Sequence, residues 1–310
     1  MSLHGVERAT IPLNLAEYGD LIDVRSPEEF GEDHLPGAIN LPVLNNEERA
    51  RVGTLYKTSP FEARKLGAAL ISRNAATFLE DEFLNHGKAW RPLIYCWRGG
   101  MRSSSLAVIL RSIGWRAMVL DGGYKAWRRF VREDLDRLAG YPGLRFHILS
   151  GLTGSAKTRL LHAIRDAGGQ ILDLEGLANH RGSLLGSIGP QPSQKRFESR
   201  LHEELSMLNL EEPVFAEAES NRIGTVHIPA TLWQSLGNST VHEVTLPIRE
   251  RAAYLLEDYE HFPADPDHIS SLINELRRIR GNEIVDRWQH QIATGQWPDF
   301  VLSILEHHYD

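Results

Sequence analysis

One cysteine, Cys96, is all that 310 residues provide. That excludes an intrachain disulfide and a zinc site built on several cysteines. No apolar run reaches the ~18 residues that a bilayer crossing needs, so no membrane span is expected. Residues 1–20 lack a basic stretch followed by an apolar one, so no secretory signal is expected and the cytoplasm is the default location. Low-complexity tracts are missing as well. A 42% hydrophobic and 24% charged composition is that of a globular chain. The net charge of −7 argues against a surface coated for nucleic acid. That acidity is uneven: from Arg91 to Arg132 there are nine Lys or Arg and a single acid, Asp121. A local basic face is expected there, with two or three of its arginines paired to acids elsewhere. The length suits two domains, read as 1–135 and 140–310 with a turn at Tyr141-Pro142-Gly143 between them.

The first domain alternates short apolar strands with helices. Strands are expected at 21–25, 39–41, 93–95 and 117–120, and helices from Ser26, over 66–85 and over 103–113. Ser26, Pro27 and Glu29 have the spacing of a capping box with proline in the first turn. Such alternation predicts an α/β fold with a mainly parallel sheet. A lone cysteine is most often an inert thiol, so its neighbours must decide. Cys96 follows the strand 93–95 and precedes a helix, at the sheet edge where ligands bind. Gly99 and Gly100 let the loop curl its N–H groups inward, a helix N-terminus expected at Ser103 adds its positive end, and Arg98 and Arg102 add charge. This cradle would stabilise an anion or a thiolate and make Cys96 nucleophilic.

The strings Asp23-Val24-Arg25-Ser26-Pro27-Glu28-Glu29-Phe30 and His34-Leu35-Pro36-Gly37-Ala38-Ile39-Asn40, with the Cys96 loop and Asp121-Gly122-Gly123-Tyr124-Lys125-Ala126-Trp127, resemble the rhodanese domain. The resemblance implies that Cys96 carries sulfur or selenium. It gives Asp23 and Arg25 structural roles, and His34 a loop hydrogen bond in preference to a general-base role.

In the second domain a strand at 145–150 runs into Gly151-Leu152-Thr153-Gly154-Ser155-Ala156-Lys157-Thr158 and then a helix over 158–167. Strand, glycine loop, helix is the context of a phosphate-binding loop. Gly151, Thr153, Gly154 and Ser155 would wrap a phosphate, Lys157 would add a charge, and the Thr158 hydroxyl would reach a magnesium ion. Ala156 departs from the pattern, which has glycine before the lysine. Beyond a second strand lie Asp173, Glu175, His180 and Arg181, candidates for substrate or magnesium contacts. A strand from Val214 leads to Glu217 and Glu219, which share a face by period two. They would hold magnesium or pair with Lys157 or Arg222. Helices over 249–261, 267–280 and 282–294 read as packing, and His307 and His308 as solvated.

Tyr95–Ser103, Gly123–Ala126, Asp173–Ser183 and Glu217–Ser220 together resemble the bacterial tRNA 2-selenouridine synthase family over about residues 10–260. Asp173-Leu174-Glu175-Gly176-Leu177-Ala178-Asn179-His180-Arg181-Gly182-Ser183 is the most specific string. The resemblance implies a rhodanese-like domain followed by a P-loop domain with C-terminal helices. It implies conversion of wobble 2-thiouridine in tRNA to 2-selenouridine: S-geranylation with geranyl diphosphate, then selenation with selenophosphate through an S-selanyl Cys96. Trp97, stacking on a base or lying in the core, and Lys125, Arg128 and Arg129 are the expected tRNA contacts. No tightly bound cofactor is expected beyond a Mg2+ ion, and nothing demands more than a monomer. A sulfurtransferase with a nucleotide-regulated second domain and a non-catalytic tRNA-binding module are the alternatives.

Overall fold

A computed structural model describes residues 6–182, 189–258 and 265–310. Ser183 and the end of the expected helix at 259–261 lie outside them. The chain divides into two compact units, Met1–Leu135 with Ser193–Glu203, and Asp136–Pro192 with Glu204–Asp310.

The first unit contains β1 (Arg8–Ala9), β2 (Leu21–Asp23), α1 (Pro27–Glu32), β3 (Ile39–Asn40), α2 (Asn46–Thr58), α3 (Pro60–Phe78), β4 (Leu93–Tyr95), α4 (Met101–Ile113) and β5 (Met118–Leu120), after which α5 runs over Gly123–Ala139. The strands form one parallel sheet in the order β1-β5-β4-β2-β3. Central strands covered on both faces read as unbroken apolar runs, and Leu93, Ile94 and Tyr95 are all buried. Period two sends alternate residues to opposite faces. Ile22, Ile94, Cys96 and Val119 join one core, and Leu21, Leu93, Tyr95 and Leu120 join the other. The α1 cap forms as read, with the Ser26 N–H donating to Glu29 Oε2 at 3.2 Å.

Among the elements of this unit that carry no expectation from the sequence are β1, α2 and α5. β1 is only two residues long, and α2 buries no residue fully, so its apolar period is faint. Helix α4 begins at Met101 rather than Ser103, because Gly100 is its N-cap. The segment Ser193–Glu203 joins the first unit through polar pairs. Ser199 Oγ donates to Asp33 Oδ2 at 2.9 Å, His202 meets Asp134 at 3.0 Å, and Glu198 pairs with Arg128. Single pairs of this kind leave no period in a sequence.

The second unit contains β6 (Arg145–Ser150), α6 (Lys157–Asp166), β7 (Gln170–Leu172), α7 (Leu174–Ala178), most of the last turn of α8 (Gln194–Met207), β8 (Pro213–Glu217), the hairpin β9 (Arg222–Ile223) and β10 (Val226–His227), α9 (Ala230–Gly237) and β11 (Thr240–Glu243). Its parallel sheet has the order β11-β6-β8-β7. The carboxyl ends of β6, β8 and β7 therefore share one edge. Then come α10 (Ile248–Asp258), α11 (Pro266–Glu275), α12 (Arg277–Arg280), α13 (Asn282–Ala293) and α14 (Trp297–Ile304). Ile273, Trp288 and Phe300 centre their shared core. The expected helix 267–280 is two helices, broken at Leu276.

Candidate functional site

Two strand–loop–helix junctions carry the candidate chemistry, one in each unit. In the first, Cys96 is 3% exposed. Its Sγ accepts from the Gly100 N–H at 3.2 Å and lies 3.2 Å from Ser103 Oγ. The curl is locked against the β5–α5 turn: the N–H groups of Tyr124 and Lys125 donate to the carbonyls of Cys96 and Trp97 at 2.9 and 3.0 Å. Gly99 and Gly123 have φ of +63° and +57°. A Cβ on Gly123 would stand 2.2 Å from the Cys96 oxygen, so only glycine fits there. Arg8 closes the loop from β1, donating to Gly99 O at 3.2 Å and Asp121 at 3.0 Å.

The charges around Cys96 divide. Arg98 is exposed and available to an incoming anion. Arg102 is engaged: it donates to Glu29 at 2.7 Å, and burial, outweighed by the arginine contacts, leaves the Glu29 carboxyl below its ordinary value. Below the loop, buried Arg25 donates to Asp23 Oδ2 and to Asp33 O, each at 2.6 Å, and lies 3.9 Å from the Tyr124 ring centre. Tyr124 Oη donates to Asp33 Oδ2 at 2.9 Å. Asp23 and Arg25 are thus framework. His34 donates from Nδ1 to Phe30 O at 2.9 Å, the loop bond expected of it.

Among the expected tRNA contacts, Lys125 and Arg129 are exposed. Arg128 is corrected, because its guanidinium pairs with Glu198 and is 13% exposed. Trp97 is partly buried, with its ring 5.4 Å from that of Tyr124, so it packs rather than standing free.

The second junction follows β6. Gly151 tolerates no Cβ, since one would lie 2.3 Å from Val244 O. Gly154 has φ +81° and Ala156 φ +59°. The backbone at Ala156 thus adopts the left-handed turn that the usual glycine serves, at a cost of about 1 kcal/mol. A cavity of about 330 Å³ is lined by the loop, Lys157 and Thr158. Lys157 Nζ donates to Gly151 O at 2.8 Å. Buried Ser155 contributes its N–H to the turn, bonded to Leu152 O at 3.1 Å.

Opposite the lysine stand Glu175, Glu217 and Glu219, with carboxylate oxygens all within 4.8 Å of one another. Glu217 ends β8, Glu219 lies just past it, and Glu175 comes from α7. Burial first, then the neighbouring Asp173 and Glu219 charges, raise Glu217 from 4.5 to about 7. Burial and the other two acids also raise Glu175, which hydrogen-bonds to Glu219 and so shares a proton with it. Gly182, at φ +66°, backs onto this pair: a Cβ would meet Glu219 Oε2 at 2.7 Å. Glu217 is 3% exposed, and its Oε1 is buried without a hydrogen-bond partner. An orphaned buried oxygen among clustered carboxylates fits a hard divalent cation such as Mg2+. The alternative partners are engaged elsewhere, Lys157 on Gly151 O and Arg222 on Gly224 O at 2.8 Å.

The other expected contacts have different roles. Asp173 caps α7, accepting from the Gly176 N–H at 2.7 Å and lying 2.8 Å from His162 Nε2. His180 Nδ1 accepts from the Gly182 N–H at 3.1 Å, which places its ring on the backbone. Arg181 lines the cavity and donates to Asp258 at 2.7 Å. The sequence reading missed Arg251, Tyr254, Asp258 and Tyr309. Arg251, 3% exposed, donates to Thr153 O at 3.1 Å and pairs with Asp310. Tyr254, Asp258 and Tyr309 line the cavity. The spacing 251, 254, 258 is one polar stripe of α10, a signal available in the sequence; nothing local marks Tyr309.

Comparison with known proteins follows the same division. The rhodanese-like domain model matches residues 12–130, and the model for the tRNA 2-selenouridine synthase AAA domain matches residues 144–272. The chain is 42% identical to the tRNA 2-selenouridine synthase of Nitrosomonas europaea, covering 84% of this chain and 66% of the relative. It is 40% identical to that of Nitrosomonas eutropha, covering 77% and 62%. It thus spans a little under two thirds of these two relatives. To the tRNA 2-selenouridine synthase of Alcanivorax borkumensis it is 37% identical, covering 94% of this chain and 87% of the relative. The chain belongs to the tRNA 2-selenouridine synthase family.

Proposed function

We propose that this chain is a cytoplasmic tRNA-modifying transferase that converts wobble 2-thiouridine to 2-selenouridine, with one junction serving each of two steps. The supporting observation is their coexistence in one chain: a buried thiol accepting from the Gly100 N–H, and a phosphate loop around a cavity of about 330 Å³. In the first step the 2-thiouridine sulfur attacks the allylic carbon of geranyl diphosphate. The carbon–oxygen bond breaks, diphosphate leaves, and the base loses its N3 proton. The loop N–H groups and Lys157 hold the diphosphate, and stabilising a leaving anion lowers the barrier. A divalent cation held by Glu175, Glu217 and Glu219 would add neutralising charge. Arg251 fixes the loop through Thr153. In the second step the selenium of selenophosphate bonds to C2 of the base and the C2–S bond breaks, releasing geranylthiol; water then cleaves the Se–P bond, and phosphate leaves without any change of oxidation level. Arg98 attracts the anionic donor, and Cys96, beside Gly100 and Ser103, positions its selenium against C2. Lys125 and Arg129 contact the tRNA backbone.

Mass spectrometry of nucleosides from a 2-thiouridine tRNA, incubated with the protein, geranyl diphosphate, selenophosphate and Mg2+, tests this reading. The expected products are 2-selenouridine for the wild type, S-geranyl-2-thiouridine alone for Cys96→Ala, and unchanged 2-thiouridine for Lys157→Ala. Unchanged tRNA with the wild type contradicts it.

A further inference from the structure

We infer that Arg91, Arg111 and Arg116 form a phosphodiester-binding pocket for the RNA backbone, at the end of the first unit's sheet opposite Cys96. The inference rests on the reading that the chain acts on tRNA. A cavity of about 460 Å³ is lined by these arginines with Glu7, Gly114 and Trp115. Arg91 lies just before β4 and Arg116 just before β5, so the pocket opens at the amino ends of strands whose carboxyl ends carry the Cys96 loop.

Its charge is positive, with three guanidiniums against the single carboxylate of Glu7. Arg111 is held in place, donating to Ala117 O at 3.3 Å and to Glu7 at 3.2 Å. Arg91 stands 3.9 Å from Glu17 in a half-exposed pair, an arrangement that holds weakly in water. Arg116 is exposed and makes no ion pair among the described residues. The C-terminal end of α4 would repel an anion were its carbonyls bare. Gly114, at φ +109°, turns the chain so that its own N–H and that of Trp115 cap Arg111 O and Leu110 O. Trp115 forms a fixed wall, donating to Gly87 O at 3.1 Å and packing edge-on against Trp90.

Solvated guanidiniums bind an isolated phosphate poorly but sum along a polyanion, where each contact releases counterions. β4 is three residues long, about 10 Å. A backbone presenting its wobble base at the Cys96 end therefore passes the arginine end within a few nucleotides. In an otherwise acidic chain, this places a second anchor for the substrate away from the reacting loop.

The test is tRNA binding by fluorescence anisotropy across a salt series, for the wild type, Arg116→Gln and Arg116→Lys. Arg116→Gln is expected to weaken binding about threefold to tenfold near 0.15 M salt and to lower the log–log salt slope by about one. Arg116→Lys, which keeps the charge, retains the slope. Binding of inorganic diphosphate is expected to be the same in all three proteins. Unchanged tRNA affinity and slope in Arg116→Gln overturns the pocket. So does loss of a diphosphate-binding event with tRNA binding intact, which would make it a free-anion site. A wild type that binds no tRNA overturns the broader reading with it.

Discussion

The two junctions share a backbone plan and differ in electrostatics. Each places a glycine-bearing loop between the carboxyl end of a parallel strand and a helix. Around Cys96 the protein aims the Gly100 N–H at the sulfur, sets the Ser103 hydroxyl beside it and engages the nearby Arg102 with Glu29. Around Lys157 it crowds three carboxylates, each raised above its ordinary value, first by burial and, at Glu175 and Glu217, by neighbouring acids. One backbone plan thus frames two electrostatic settings, and the side chains on neighbouring elements decide which.

The largest effect should come from breaking the lock of the first loop. Gly123→Ala places a Cβ against Cys96 O in a left-handed backbone, and a loss of about 3–5 kcal/mol is expected in denaturant unfolding. Gly100→Ala, whose Cβ meets nothing within 4 Å, should cost under about 1 kcal/mol. Equal losses would mean that the packing of the turn does not set the loop.

The second junction should respond to pH. Unfolded, Glu217 loses its proton near 4.5; folded, it keeps it to about 7. Unfolding therefore releases a proton between these values, and the contribution of Glu217 to stability falls as pH rises from about 4.5 to about 7, where it levels off. One such group accounts for about 3 kcal/mol at most; the raised Glu175 and Glu219 act in the same direction. Thermal scans from pH 4.5 to 8 without divalent cation should show the fall. Glu217→Gln should flatten it, and Mg2+ should restore stability at pH 8. A melting temperature that climbs over this window would refute the clustered-acid reading.

A smaller change sharpens the contrast at Ala156. Relief of the left-handed alanine is worth about 1 kcal/mol in the folded loop, largely offset by the freer unfolded glycine. Ala156→Gly should thus leave the melting temperature nearly unchanged and tighten inorganic diphosphate binding a fewfold by calorimetry. Weaker binding would mean that the methyl group helps to shape the loop.

Much of this arrangement was legible because it is local. Loop glycines, the Ser26–Glu29 cap and the apolar runs before Cys96 and Gly151 each state their geometry within a few residues. The Asp173–Ser183 string pointed to Glu175 through its family resemblance. What the sequence hid depends on distant partners. Two or three arginines of the 91–132 segment were expected to pair, but not which, because the partners of Arg102 and Arg128, Glu29 and Glu198, are far away in the chain. Asp173 read as a ligand although its oxygens meet Gly176 and His162. Arg251 lies on a stripe that α10 spells out, but its partners Thr153 and Asp310 are far away in the chain, and nothing local marks Tyr309.

The central claim is that Lys157 serves the first step and Cys96 the second. It is tested most directly by supplying a tRNA already carrying S-geranyl-2-thiouridine, with selenophosphate, and measuring 2-selenouridine. Lys157→Ala should convert this substrate at close to the wild-type rate, and Cys96→Ala should leave it unchanged. Conversion by both variants, or by neither, would contradict the division of labour between the two junctions.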